Sequence, residues 1–139
     1  MRVLGIDYGD VRVGLAISDP TGFLAGGIGR LKIKGMNDAV EQISEVIKER
    51  EIEKVVLGLP LNMDGSEGAS AQKIRAFAEK LLQNNSSIKI VFIDERRTSM
   101  LAADYMSQTG TFGKKRKEAV DTLSAQIILQ TYLDRNKNI

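Results

Sequence analysis

Continuous apolar runs open the chain, helical spacing replaces them after Gly35, and the two patterns alternate from there onward. Val3–Ile6 and Val13–Ile17 are apolar without alternation, as in strands covered on both faces. Between them, Asp7-Tyr8-Gly9-Asp10 has the residue types of a tight reversal. The two runs therefore predict a β-hairpin whose first strand ends at Asp7. Asp19-Pro20-Thr21-Gly22 fits a type I turn, and Phe23–Ile33 reads as a third strand weakened by Gly26, Gly27 and Gly29. Asp38 and Glu41 suit a capping box, and Val40, Ile43, Val46 and Ile47 mark one face of a helix ending near Glu51.

Lys54–Leu59 is a short apolar strand stopped by Pro60. Leu61–Ala69 reads as a mobile connection, with Asn62, Asp64, Ser66 and Glu67 within reach of any substrate at the strand end. Ser70 is placed to cap a helix whose face is Ile74, Phe77, Ala78, Leu81 and Leu82. Ile88–Ile93 is a fifth strand ending at Asp94-Glu95-Arg96-Arg97, and Thr98 or Ser99 suits the cap of a short helix through Tyr105. Ser107–Lys117 reads as a basic loop, and a last helix is expected from about Glu118 to Leu133. Three antiparallel strands followed by strands alternating with helices imply an α/β fold. Its mixed five-stranded sheet would end in two parallel strands and carry helices on both faces.

A length of 139 residues suits a single domain over 1–139 with one sizeable core. No run reaches transmembrane length and the start lacks a signal-peptide apolar region, so a cytoplasmic location is expected. The absence of His and Cys is more informative. It removes Ser-His-Asp and Cys-His nucleophiles, disulfides and nitrogen- or sulfur-ligated zinc. Hard cations on oxygen ligands remain, and carboxylates must carry any chemistry.

Three carboxylates stand out. Asp7 ends a strand that runs through the core, where an unpaired charge is costly. Glu95 ends another apolar strand beside Asp94, although an Asp-Glu-Arg-Arg run also fits a solvated corner. Asp121 falls inside the apolar arc of the last helix, in one stripe with Ser124, Ala125, Ile128 and Tyr132, while Thr122, Gln126 and Gln130 take the polar side. A salt bridge or the helix dipole would also account for Asp121. Converging at one end of a sheet, Asp7, Glu95 and Asp121 would hold one or two Mg²⁺ or Mn²⁺ ions, which activate water and stabilise the leaving oxygen of a phosphodiester.

The net charge of +2 is too small to argue for nucleic acid, so local clusters must do so. Lys114, Lys115, Arg116 and Lys117 form a dense basic run, and with Arg96 and Arg97 they could rim the acidic centre and contact phosphates.

The chain resembles the YqgF/RuvX family of bacterial nucleases, within the ribonuclease H-like superfamily that also holds the RuvC Holliday-junction resolvases. The marks are Gly5-x-Asp7-x-Gly9, Gly14 with Ala16-x-Ser18-Asp19, Gly58-Leu59-Pro60 with Asn62, Asp94-Glu95-Arg96-x-Thr98-Ser99 with Ala102, and Lys117-x-x-x-Asp121-x-x-x-Ala125 with Ile128-Leu129-x-x-Tyr132-Leu133. They span essentially the whole chain. The family's acidic residues match Asp7, Glu95 and Asp121, with Asp94 as a fourth candidate. The resemblance implies a Mg²⁺-dependent nuclease that matures the 5′ end of precursor 16S rRNA. Ribosomal particles are then candidate partners, and the chain itself a monomer or homodimer. Holliday-junction resolution is the older alternative. Ribonuclease H-like nucleases usually carry an acid on the fourth strand, where Val55-Val56-Leu57-Gly58-Leu59 has none, so Glu95 is expected to substitute. Two other readings compete: a nucleic-acid- or ribosome-binding module without turnover, and an ATPase of the actin or sugar-kinase type, whose two-domain architecture this length does not supply.

Overall fold

The computed structural model describes residues 2–95 and 113–136, with side chains in the second stretch from Thr122 to Arg135. Strands β1 (Val3–Tyr8), β2 (Arg12–Ser18), β3 (Ala25–Lys32), β4 (Lys54–Leu59) and β5 (Lys89–Asp94) form one sheet in the order β3-β2-β1-β4-β5. β1, β2 and β3 are antiparallel, and β4 and β5 continue the sheet in parallel from β1. The helices are α1 (Met36–Glu49), α2 (Ala69–Asn84) and α3 (Gly113–Asn136). The mixed sheet and its order of elements are those expected from the apolar pattern. The proposed short helix between Thr98 and Tyr105 lies outside the described residues, and none of the described helices is long and apolar enough to cross a membrane.

Strand alternation divides the core between the two faces. Leu4, Ile6, Val13, Leu15, Val55 and Leu57 point one way and pack with Ile43 and Ile47 of α1 and with Ile74, Phe77 and Leu81 of α2. Val3, Ala16, Val56 and Ile93 point the other way and meet Ala125, Ile128, Leu129 and Leu133 of α3. Leu82, expected on the core face of α2, is 38% exposed.

Three strand glycines let α3 settle onto the second face. A Cβ on Gly5 would lie 2.6 Å from Leu129 Cβ, one on Gly58 would lie 2.6 Å from Ile128 Cδ1, and one on Gly27 would overlap Thr122 Cγ2. Thr122, Gln126 and Gln130 therefore do not form a solvent stripe. Gln130 Oε1 accepts from Ala25 N–H at 2.8 Å, Gln126 Nε2 donates to Ala25 O at 3.1 Å, and Gln130 Nε2 donates to Phe23 O at 2.9 Å. These amides occupy main-chain groups at the start of β3, an edge strand whose open groups would otherwise invite another chain.

The helix starts also depart from the sequence reading. Gly35, at φ +128°, precedes α1 without a side-chain cap, and Asp38 instead accepts from Lys34 N–H at 2.8 Å. α2 begins at Ala69 after Gly68, so Ser70 is not its cap. α3 starts at Gly113, which places Lys114–Lys117 on the helix rather than in a loop.

Candidate active site

Asp7, the fifth residue of β1, lies on the α3 side, since it alternates with Val3 and Gly5, while Tyr8 turns to the other side and rests on Phe77 at 4.5 Å between ring centroids. The β1–β4 register sets Ile6 beside Leu57, so Asp7 comes level with Gly58. On its other flank Asp7 pairs with Gly14 of β2. A carboxylate between two glycines has no side chains beside it in its own row of the sheet.

Glu95 follows β5 directly, held by its N–H bond to Leu59 O at 3.1 Å. Its carboxylate lies back across β4: a Cβ on Gly58 would fall 2.5 Å from Glu95 Oε2. The Glu95 carboxylate, carried at the end of β5, thus stands over β4 in the space that Gly58 leaves open. Asp7 and Glu95 meet there within hydrogen-bonding reach. Burial first, then the Asp7 charge, the hydrogen bond with Asp7 and the Asp94 charge push the Glu95 carboxyl up to about 8. The pair therefore holds a proton more tightly than a free glutamate does. Asp94 is exposed and acts on Glu95 through its charge.

α3 approaches this pair with its first half. Tyr132 Oη accepts from Lys54 Nζ at 2.6 Å at the start of β4, Ile128 sits over Gly58, and Ala125 O approaches the Gly5 position. The helix therefore runs antiparallel to β1 and β4, from their carboxyl ends toward their amino ends. Ser124 is one turn nearer that end than Ile128, 1% exposed, and its Oγ has no partner among the described residues. Residue 121 follows on the same helix stripe. Its side chain lies outside the description, as do Arg96, Arg97 and the side chains of Lys114–Lys117.

Among the described residues no group of three acidic side chains is assembled. The chemistry of the pair nevertheless fits a hard divalent cation. Two carboxyls share one proton because two adjacent negative charges are too costly, and a cation supplies the missing charge on oxygen ligands.

On the α2 side, a cleft of about 210 Å³ runs from Glu95 past Tyr8, Asp10, Pro60, Ser70 and Lys73. Lys73 Nζ bridges to Asp10 at 2.9 Å, both largely exposed. The β4–α2 connection, expected to be mobile, is closed by its own hydrogen bonds. Asn62 N–H donates to Ser66 O at 2.8 Å, Ser66 Oγ donates to Asp64 at 2.6 Å, and Leu61 bridges Glu67.

A mixed β3-β2-β1-β4-β5 sheet with helices on both faces and acids gathered at the carboxyl end is a ribonuclease H-like fold. The solved structure of T. thermophilus RuvC in complex with a Holliday junction substrate shares it, with a TM-score of 0.59 and 16% identity over 99% of this chain and 96% of that one. A family model described as RuvX, Holliday junction resolvase, matches residues 1–135, and the chain belongs to this family. A protein of Caldanaerobacter subterraneus subsp. tengcongensis named "Putative pre-16S rRNA nuclease" is 44% identical over 139 residues, covering 99% of both chains. A protein of the same name from Ruminiclostridium cellulolyticum is 43% identical over 136 residues, covering 97% of this chain and 95% of its own.

Proposed function

We propose that this chain is a divalent-metal-dependent nuclease that hydrolyses phosphodiester bonds in structured RNA, at the 5′ end of precursor 16S rRNA. The observation that carries the reading is the Asp7–Glu95 pair above Gly58, two carboxyls too close to be charged together without a cation. Relatives above 40% identity carrying the pre-16S rRNA nuclease name support the RNA substrate. Asp7 and Glu95 would hold Mg²⁺ or Mn²⁺, with Asp121 completing the set from α3. Bound there, the metal supplies an activated water and stabilises the leaving oxygen. The protein's own part is to set the carboxylates and to exclude a side chain at Gly58.

Side-by-side cleavage of a labelled 16S-precursor leader and a four-way DNA junction tests the reading, with Mg²⁺ or Mn²⁺ and Asp7→Asn as control. Cleavage of the RNA alone, lost in the variant, is expected. Symmetric cutting of the junction would replace this reading with resolution of branched DNA, the activity in the family description. RNA binding without cleavage in any divalent metal would leave a binding module.

A further inference from the structure

The β2–β3 side of the acidic pair carries cations that the linear sequence does not display as a cluster. Asp7 pairs with Gly14, and Gly14 pairs with Arg30. Directly paired residues point to the same face, so Arg30 stands in one cross-strand row with Asp7, two strand spacings or about 10 Å away. Only Gly14, without a side chain, lies between them. One step further along, Arg12 pairs with Lys32. Arg12 alternates with Gly14 and Ala16, and Ala16 packs under α3, so Arg12 and Lys32 also belong to the α3 face. Three cations from two strands thus flank the carboxyl pair on the face to which Asp7 belongs. Neither β2 nor β3 contains an acidic residue. On the opposite face the same stretch is apolar, with Val13, Leu31 and Ile33 in the α1–α2 core.

The direction of α3 sets its first turns at that end. Thr122 and Gln126 lie at Gly27, and Gln130 lies at Phe23 and Ala25, so α3 runs opposite to β3. The first turns of α3, which hold Lys114–Lys117, therefore start near the end of β3 that carries Arg30 and Lys32.

We propose that Arg12, Arg30 and Lys32 form a phosphate-binding rail that grips the substrate strand on the β3 side of the Asp7–Glu95 pair. The rail rests on the nuclease reading and assigns its substrate a path across the strands, from the β3 edge toward β4. Guanidinium and ammonium groups beside paired acids bind the phosphates next to the scissile one and offset the repulsion between the acids and the polyanion. Such contacts fix position and carry no sequence information.

The test is equilibrium binding of a fluorescent 16S-leader RNA to the full chain in EDTA at several salt concentrations, with cleavage assayed in parallel in Mg²⁺. Arg30→Ala and Arg12→Ala are expected to weaken binding roughly 3- to 10-fold each and to lower the salt slope by about 0.7–0.9 per contact removed. Lys32→Ala, at an exposed position, provides a variant whose fold is not at issue. Lys48→Ala on exposed α1, across the sheet, should change neither quantity. A folded triple variant with wild-type affinity and salt slope would overturn the rail while leaving the nuclease reading intact. Loss of slope in a chain that cleaves nothing would keep the rail and overturn the nuclease reading. A wild-type chain that does not bind the RNA at all would overturn the rail.

Discussion

The two faces of this sheet solve different problems. Under α1 and α2 the strands offer Leu4, Ile6, Val13, Leu15, Val55 and Leu57, and the helices answer with branched aliphatic side chains and Phe77. Under α3 the strands offer Gly5, Gly27 and Gly58, and the helix comes so close that a methyl group at any of them would collide. The first face buries large apolar side chains and holds the fold. The second is thinner, and at its carboxyl end it admits the Glu95 carboxylate where a strand residue's side chain would otherwise stand. Close packing through glycine sets the geometry there, while bulk apolar packing supplies stability elsewhere.

The largest effects should separate these faces. Phe77→Ala, in the thick core and fully buried, should destabilise the chain by about 3–5 kcal/mol while sparing the activity of the molecules that remain folded. Asp7→Asn should do the reverse, lowering cleavage by roughly 10³-fold, at the upper end for loss of a group that stabilises transition-state charge, with the melting temperature held or raised. Thermal melts and single-turnover cleavage on the same samples check both. An activity loss in Phe77→Ala that persists at a temperature where it is fully folded would erase the division.

Gly58→Ala probes the contact between the two roles. The added methyl meets Glu95 Oε2 at 2.5 Å and Ile128 Cδ1 at 2.6 Å. Overpacking of this kind costs about 1–3 kcal/mol, and displacement of Glu95 by an ångström should reduce cleavage by about 10²-fold. A melting shift without an activity loss would mean that the helix gives way and Glu95 does not. Ile43→Val on the first face is the small counterpart: about 0.5–1.5 kcal/mol in stability and no change in cleavage.

Much of this was legible in the sequence, and its failures share a cause. Strand runs such as Val3–Ile6 and Lys54–Leu59, and the α1 stripe of Val40, Ile43 and Ile47, follow from periodicity alone. Asp7 and Glu95 were legible as polar ends of apolar strands. Their meeting over Gly58 was not, because it depends on the register between β4 and β5 and on a glycine whose contribution is an absent side chain. Gln126 and Gln130 read as solvent residues because hydropathy does not distinguish water from the main chain of an edge strand. The glycines before α1 and α2 concealed the helix starts in the same way, since a glycine carries no capping side chain to mark them.

The raised Glu95 pKa gives a pH dependence with a defined sign. In the metal-free chain the folded state holds this proton more tightly than the unfolded chain. Its contribution to stability is therefore present below pH 4.5 and lost as pH rises toward about 8. Glu95→Gln removes that slope, so the melting temperature of wild type relative to the variant should fall across this window in EDTA. A flat difference would mean that Glu95 is already ionised in the folded chain.

The most direct measurement is calorimetric titration of the wild-type chain with Mn²⁺ at neutral pH in buffers of different ionisation enthalpy. If Asp7 and Glu95 share a proton that a cation replaces, binding should release up to one proton, and Glu95→Gln should bind more weakly and release none. Binding of equal affinity in wild type and Glu95→Gln, with no proton released by either, would contradict the carboxyl pair as the metal site.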